Sequence, residues 1–160
     1  NIHGFKKDLQ INIIGNNNKK IKQNLSKRKF NNCIVYHDYV EHKKAIEFMC
    51  SSQVLLMLEV DDDESSYAIP GKLFDYLNSN RPIISIGPEK SEVREILSDT
   101  DTGKFFNYKD YNSLKLYIEK LYKNYLNNFS SSKNNRNIDE YHRKNLTSKL
   151  VEIINKIDCK

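Results

Sequence analysis

Cysteine is scarce in this chain and scattered. Cys33, Cys50 and Cys159 are the three in 160 residues, odd in number and without a C-x-x-C pair. That spacing argues against a disulfide framework and for reduced thiols in a cytoplasmic setting. Long apolar runs are missing too: no stretch approaches the roughly 20 residues of a membrane-spanning helix, and no secretory leader is visible. Neither G-x-x-x-x-G-K-[ST] nor G-x-G-x-x-G occurs, which speaks against a phosphate-loop NTPase and a dinucleotide oxidoreductase. No Ser-His-Asp or Cys-His arrangement stands out. His37 and His42 are too isolated to suggest a metal site, and no metal or cofactor is expected. The sequence has no internal repeat, and its one low-complexity piece is the acidic run around Asp61, Asp62, Asp63 and Glu64. A solvated loop is the simpler reading of that run, a cation site the other.

What is there suits one domain, with enough apolar content for a core. The chain opens on Asn, within what reads as an element, so a piece of a larger protein is expected. Charge is uneven beneath the net +5. Residues 1–52 carry ten basic and four acidic groups, residues 53–108 five and eleven. The lysine-rich runs "NNNKKIKQ" and "SKRKF" lack the interleaved aromatics of a nucleic-acid reader, so no nucleic acid is expected. They read as a solvated helix face, with contact to an anionic membrane surface as the second reading.

The pattern alternates. Short β-branched or apolar runs at residues 9–15, 33–40, 53–60, 82–87 and 103–108 read as strands. Residues 19–30, 41–52, 72–80, 88–99 and 110–128 read as helices, and a last helix starts at about 138. The run "QVLLMLEV" is continuously apolar through its middle, as in a strand covered on both faces. Pro88 is placed at one helix start and Asp110 at another as its cap. Such alternation predicts an α/β, Rossmann-like parallel sheet with helices on both faces. Ligands in such sheets bind beyond the carboxyl ends of the strands.

The stretch "AIPGKLFDYLNSNRPIISIG" falls on that edge. A helix start has free N–H groups and partial positive charge, both attractive to phosphate. Gly71 lets the backbone approach such a ligand, and Lys72 adds a full charge. Asp75 could accept from ribose hydroxyls. An ordinary Pro-Gly turn with a solvated lysine explains the same residues.

"IPGKLFDYLNSNRPIISIG" resembles the segment "PxKlfEYlaxgkPvi" of GT-B-fold glycosyltransferases, group 1 or family 4-like, in their donor-binding C-terminal domain. "LQINIIGNNN", "CIVYHDYVEHKKAIEFMCSSQVLLMLEV", "VREILSDTDTGKFFNYKD" and "DEYHRKNLTSKLVEII" resemble the flanking segments, so the likeness spans residues 9–155. The resemblance implies a single donor-binding domain over residues 1–160, with an N-terminal acceptor domain outside this chain. It implies transfer of a sugar from a nucleoside-diphosphate sugar, as in polysaccharide or glycolipid synthesis, in the cytoplasm or at the inner membrane face. Gly71, Lys72 and Leu73 would face the diphosphate and sugar, and Asp75 would take the place of the family's ribose-binding Glu. Tyr39 and Val40 would meet the nucleobase, and Gly15 and Asn16 would border the cleft. A second acidic residue of many retaining members is Tyr67 here, so the stereochemical outcome stays open, as do base and sugar. The competing expectations are a non-catalytic interaction module of the same fold and a GT-B-like nucleotide-sugar epimerase.

Overall fold

The computed structural model describes residues 4–16, 19–60, 69–128 and 137–158. It is an α/β protein in which short parallel strands alternate with helices. A one-turn helix α1 (Phe5–Asp8) precedes β1 (Ile11–Ile14), α2 (Lys19–Ser26), β2 (Ile34–His37) and α3 (His42–Ser51). Then come β3 (Leu55–Leu58), α4 (Lys72–Asn78), β4 (Ile83–Gly87), α5 (Glu92–Thr100), β5 (Gly103–Asn107) and α6 (Tyr111–Leu126). A 3-10 turn at Ile138–Tyr141 leads into α7 (Arg143–Asp158), where one continuous helix was expected.

The strands divide into two parallel sheets rather than one. β1 pairs with β2, Ile11 opposite Ile34. β3, β4 and β5 form the second sheet, with Leu55 opposite Ile83 and Ile83 opposite Gly103. Helix α3 serves both: the Phe48 ring lies 4.8 Å from His37, and Met49 packs on the core of the larger sheet.

That core has a simple origin. On one face, Leu55 and Met57 of β3 and Ile83 of β4 meet Leu73 and Leu77 of α4 and Val93, Ile96 and Leu97 of α5. The apolar positions of α4 and α5 recur at helical spacing, so one side of each helix lies on the strands. On the other face Phe106 is buried, its ring 5.6 Å from Tyr117 of α6.

β3 departs from its sequence reading. Leu55 and Met57 are buried, but Leu56 and Leu58 are 47% and 59% exposed. Side chains alternate faces along a strand, and only one face of this one is covered. An apolar run reports affinity for burial; whether a neighbour is there to provide it is a tertiary matter. Two helix starts also differ from expectation. Ser91, not Pro88, caps α5, its hydroxyl accepting from the Val93 amide at 3.1 Å. Asp110 precedes α6 but turns backward, its carboxylate accepting from the Asn107 amide at 2.9 Å.

Helix α6 is tied to the N-terminal segment by Tyr122, which is buried and donates its hydroxyl to Asp8 at 2.6 Å. Phe5 meets the same ring edge-on at 5.0 Å. The hydrogen bond to Asp8 first, then burial and the Asp8 charge, push the Tyr122 hydroxyl up to about 12 from its ordinary value near 10. Because the folded state holds the proton more tightly, this contribution to stability is complete below pH 10. It is lost as pH rises from 10 to about 12. In an alkaline absorbance titration Tyr122 should therefore ionise late, near pH 12, and Tyr122→Phe should remove that late step. A tyrosine titration curve unchanged by Tyr122→Phe above pH 11 would contradict the assignment.

Candidate functional site at the carboxyl ends of the strands

The residues singled out in the sequence fall at the carboxyl ends of the strands, in two groups. Gly15 follows β1 at φ 118°, a left-handed turn that glycine accepts without strain, and its amide donates to the His37 carbonyl at 3.3 Å. Asn16 beside it is exposed. Tyr39 and Val40 follow β2 at the same end of the small sheet. Tyr39 is 82% exposed, with its ring available for stacking, while Val40 is half-buried. His37 is held internally, its Nε2 3.0 Å from the Asn12 side-chain oxygen.

The second group opens α4, beyond the carboxyl end of β3. Gly71 and Lys72 are exposed, and Asp75 is half-buried one turn further on. Leu73 sits differently from its neighbours. Its side chain is fully buried in the core, and its amide donates to the Pro70 carbonyl at 2.8 Å. Leu73 thus packs the first turn of α4 onto the core, and its amide is satisfied within the protein. The Phe74 amide donates to the Gly71 carbonyl at 3.3 Å. The amides of Gly71 and Lys72 find no backbone acceptor among the described residues.

Gly71 itself is informative. Its backbone is ordinary right-handed helix, φ −54° and ψ −32°, and a Cβ built there would meet nothing within 4 Å. Neither conformation nor packing within the described protein requires a glycine at this position. By contrast Gly87 and Gly103 have plain internal reasons. A Cβ on Gly87 would come within 2.9 Å of the Glu59 side chain, and one on Gly103 within 2.2 Å of the Ile83 carbonyl oxygen.

Glu59 is the residue that sequence reasoning passed over. It follows β3 directly, and its carboxylate accepts from Ser85 at 3.1 Å and from Ser91 at 2.6 Å. Tyr108 donates to its backbone carbonyl at 2.7 Å. Ser91 is also the α5 cap, so Glu59 places a negative charge at the positive end of that helix. Among the helices that start on this edge of the larger sheet, α5 thus has an internal anion beside its cap, while α4 carries Asp75 within its own first turn. The signal in the sequence was a lone acid at the end of an apolar strand. Its partners lie 26 and 32 residues away and could not be read from it.

A cavity of about 310 Å³ lies elsewhere, lined by Arg94, Leu97, Ser98, Asp101, Gly103, Lys104 and Phe105. Apart from Arg94, in the first turn of α5, these residues are the later part of α5, the turn after it and the beginning of β5, so the cavity lies toward the amino end of that strand. It belongs to the edge opposite the one where ligands of parallel sheets bind.

Among the described residues no three His, Cys, Asp or Glu side chains converge as metal ligands, and no helix is long and apolar enough to cross a membrane. Tyr67 and the acidic run Asp61, Asp62, Asp63 and Glu64 lie outside the described residues. Neither a scan against protein-family models nor a search of curated proteins returns a match to this chain.

Proposed function

We propose that this chain is the nucleotide-sugar donor-binding domain of a GT-B-like glycosyltransferase. The observation that carries the reading is the start of α4: a glycine beside which no described residue lies within reach of an added methyl group, next to an exposed lysine, at the carboxyl edge of a parallel sheet. A diphosphate fits that combination. Its oxygens would take the Gly71 and Lys72 amides, the ammonium would supply the countercharge, and the missing Cβ would leave room for close approach. As the sugar leaves, negative charge builds on the diphosphate, and a lysine held beside it stabilises that charge in the transition state. Asp75 would receive the ribose hydroxyls and Tyr39 would stack on the base.

The acceptor and any base that removes its proton would belong to another domain. Leu146, Leu150, Ile153, Ile154 and Ile157 form an exposed apolar stripe along α7, 40–67% exposed. A two-domain enzyme would have a surface of this kind to set against its other half. Synthesis of a polysaccharide or glycolipid in the cytoplasm is the setting we propose for it.

Two substitutions test the reading by calorimetry with UDP and GDP. Gly71→Ala should stabilise the free protein by about 0.4–1 kcal/mol, because alanine restricts the unfolded chain and fits the observed backbone. The same methyl group should weaken nucleotide binding about tenfold, and Lys72→Ala should do likewise by removing a charge-assisted contact. A protein made more stable yet poorer at binding is the signature of a glycine kept for a ligand. If both variants bind as the parent does, the start of α4 is no donor site and the interaction-module reading takes its place. An epimerase would differ in a further respect, by interconverting the nucleotide sugar without any acceptor.

A further inference from the structure

The basic segment around α2 is unused by the donor site. Residues 9–37 contain no Asp or Glu and six cations, Lys19, Lys20, Lys22, Lys27, Arg28 and Lys29. The turn after α2 folds back on itself, with the Arg28 amide donating to Leu25 at 3.0 Å and the Asn31 amide to Arg28 at 3.0 Å. This places Lys27, Arg28 and Lys29, all exposed, directly beyond the end of the helix. Two apolar side chains stand out among these charges. Ile21 is 54% exposed and Phe30 is 41% exposed. At 100° per residue Ile21 is flanked on the helix by Lys20 on one side and Lys22 on the other.

We infer that α2 and the turn after it form a docking surface for an anionic lipid bilayer. Charge complementarity argues for that partner: the run holds six cations without an intervening carboxylate, Lys27, Arg28 and Lys29 are exposed together beyond the helix, and attraction to an anionic surface strengthens about fivefold with each cation near it. The placement of the apolar groups argues the same way. An exposed isoleucine between lysines can enter the headgroup region while the long basic side chains reach past it to lipid phosphates. A surface for single-stranded nucleic acid would instead present several rings for stacking. Here Phe30 is the one exposed ring of the segment, and Tyr36 is half-buried beneath the Lys22 ammonium, 5.0 Å away.

The test is co-sedimentation of the 160-residue chain with vesicles of phosphatidylcholine alone and of phosphatidylcholine with about 30% phosphatidylserine. Each is run at about 0.05 M and about 0.5 M salt. Binding is expected only to the anionic vesicles and only at low salt. The triple variant Lys27→Glu, Arg28→Glu, Lys29→Glu should bind about tenfold more weakly or worse. Its exposed positions should leave the far-UV circular dichroism and thermal midpoint unchanged. Ile21→Ser with Phe30→Ser should weaken binding about threefold while preserving its salt sensitivity. Equal binding to neutral vesicles, no binding to either kind, or full binding by the folded triple variant would overturn the inference. So would tighter binding to a single-stranded RNA oligonucleotide than to anionic vesicles at the same salt. No nucleotide enters this assay, so its result is independent of the donor reading.

Discussion

Gly103→Ala is expected to cost about 3 kcal/mol or more, at or beyond the upper end for a buried small-to-large change. The reason is the opposing atom. A Cβ on Gly103 would lie 2.2 Å from the Ile83 carbonyl oxygen and 2.8 Å from the Ile83 Cβ. Ile83 is the register partner of Gly103 across the β4–β5 ladder, and it is fully buried in the central strand. A flexible side chain could swing aside, but a backbone carbonyl in the middle of a sheet cannot without opening the ladder. Domains are stable by only about 5–15 kcal/mol, so this one methyl group would remove a large part of the total. Urea denaturation checks it: the midpoint should fall by about 1 M or more with little change in slope. An unchanged midpoint would mean that β4 and β5 are not paired in this register. Gly71→Ala carries the opposite sign for the same chemical change, since that methyl group would meet a helical backbone and no described residue within 4 Å.

Leu73→Ala is the second large effect, at about 2–5 kcal/mol. Leu73 is 0% exposed and sits among Leu55, Met57, Leu77, Ile83, Val93, Ile96 and Leu97, which are held too closely to collapse onto the lost volume. It also anchors the first turn of α4, the turn that carries Gly71 and Lys72. On the proposed reading, nucleotide binding should weaken along with stability, although the Leu73 side chain is buried in the core. Leu73→Met nearly conserves volume and should restore most of both. Thermal unfolding and calorimetry on the two variants separate the outcomes. If Leu73→Ala matched the parent in melting temperature, the packing of α4 on β3 and β4 would be wrong.

Much of the architecture was legible before any coordinates, because alternation of short apolar runs with helical periodicity is a local property. The inward set of α5, Val93, Ile96 and Leu97, is 0%, 4% and 1% exposed, as its spacing demanded. Leu73 and Leu77 of α4 likewise lie where their spacing put them. The parallel direction followed from helices too long for hairpins. The candidate site was legible only to the extent that a Pro-Gly-Lys step announces a helix start.

What lay outside the sequence shares one physical cause: it depends on which distant groups become neighbours. The run at β3 specified burial for four leucine and methionine side chains, and the packing supplied it for one face alone. Glu59 was visible as an acid, but its pairing with Ser85 and with Ser91 at the start of α5 arose only once β3 and β4 stood side by side. The five glycines look alike in the chain. Only the folded environment separates Gly103, held by a carbonyl oxygen, from Gly71, which has no described residue within 4 Å of an added Cβ. Periodicity is written within a few residues, whereas exclusion of a methyl group is a relation between strands, and distance along the chain conceals it.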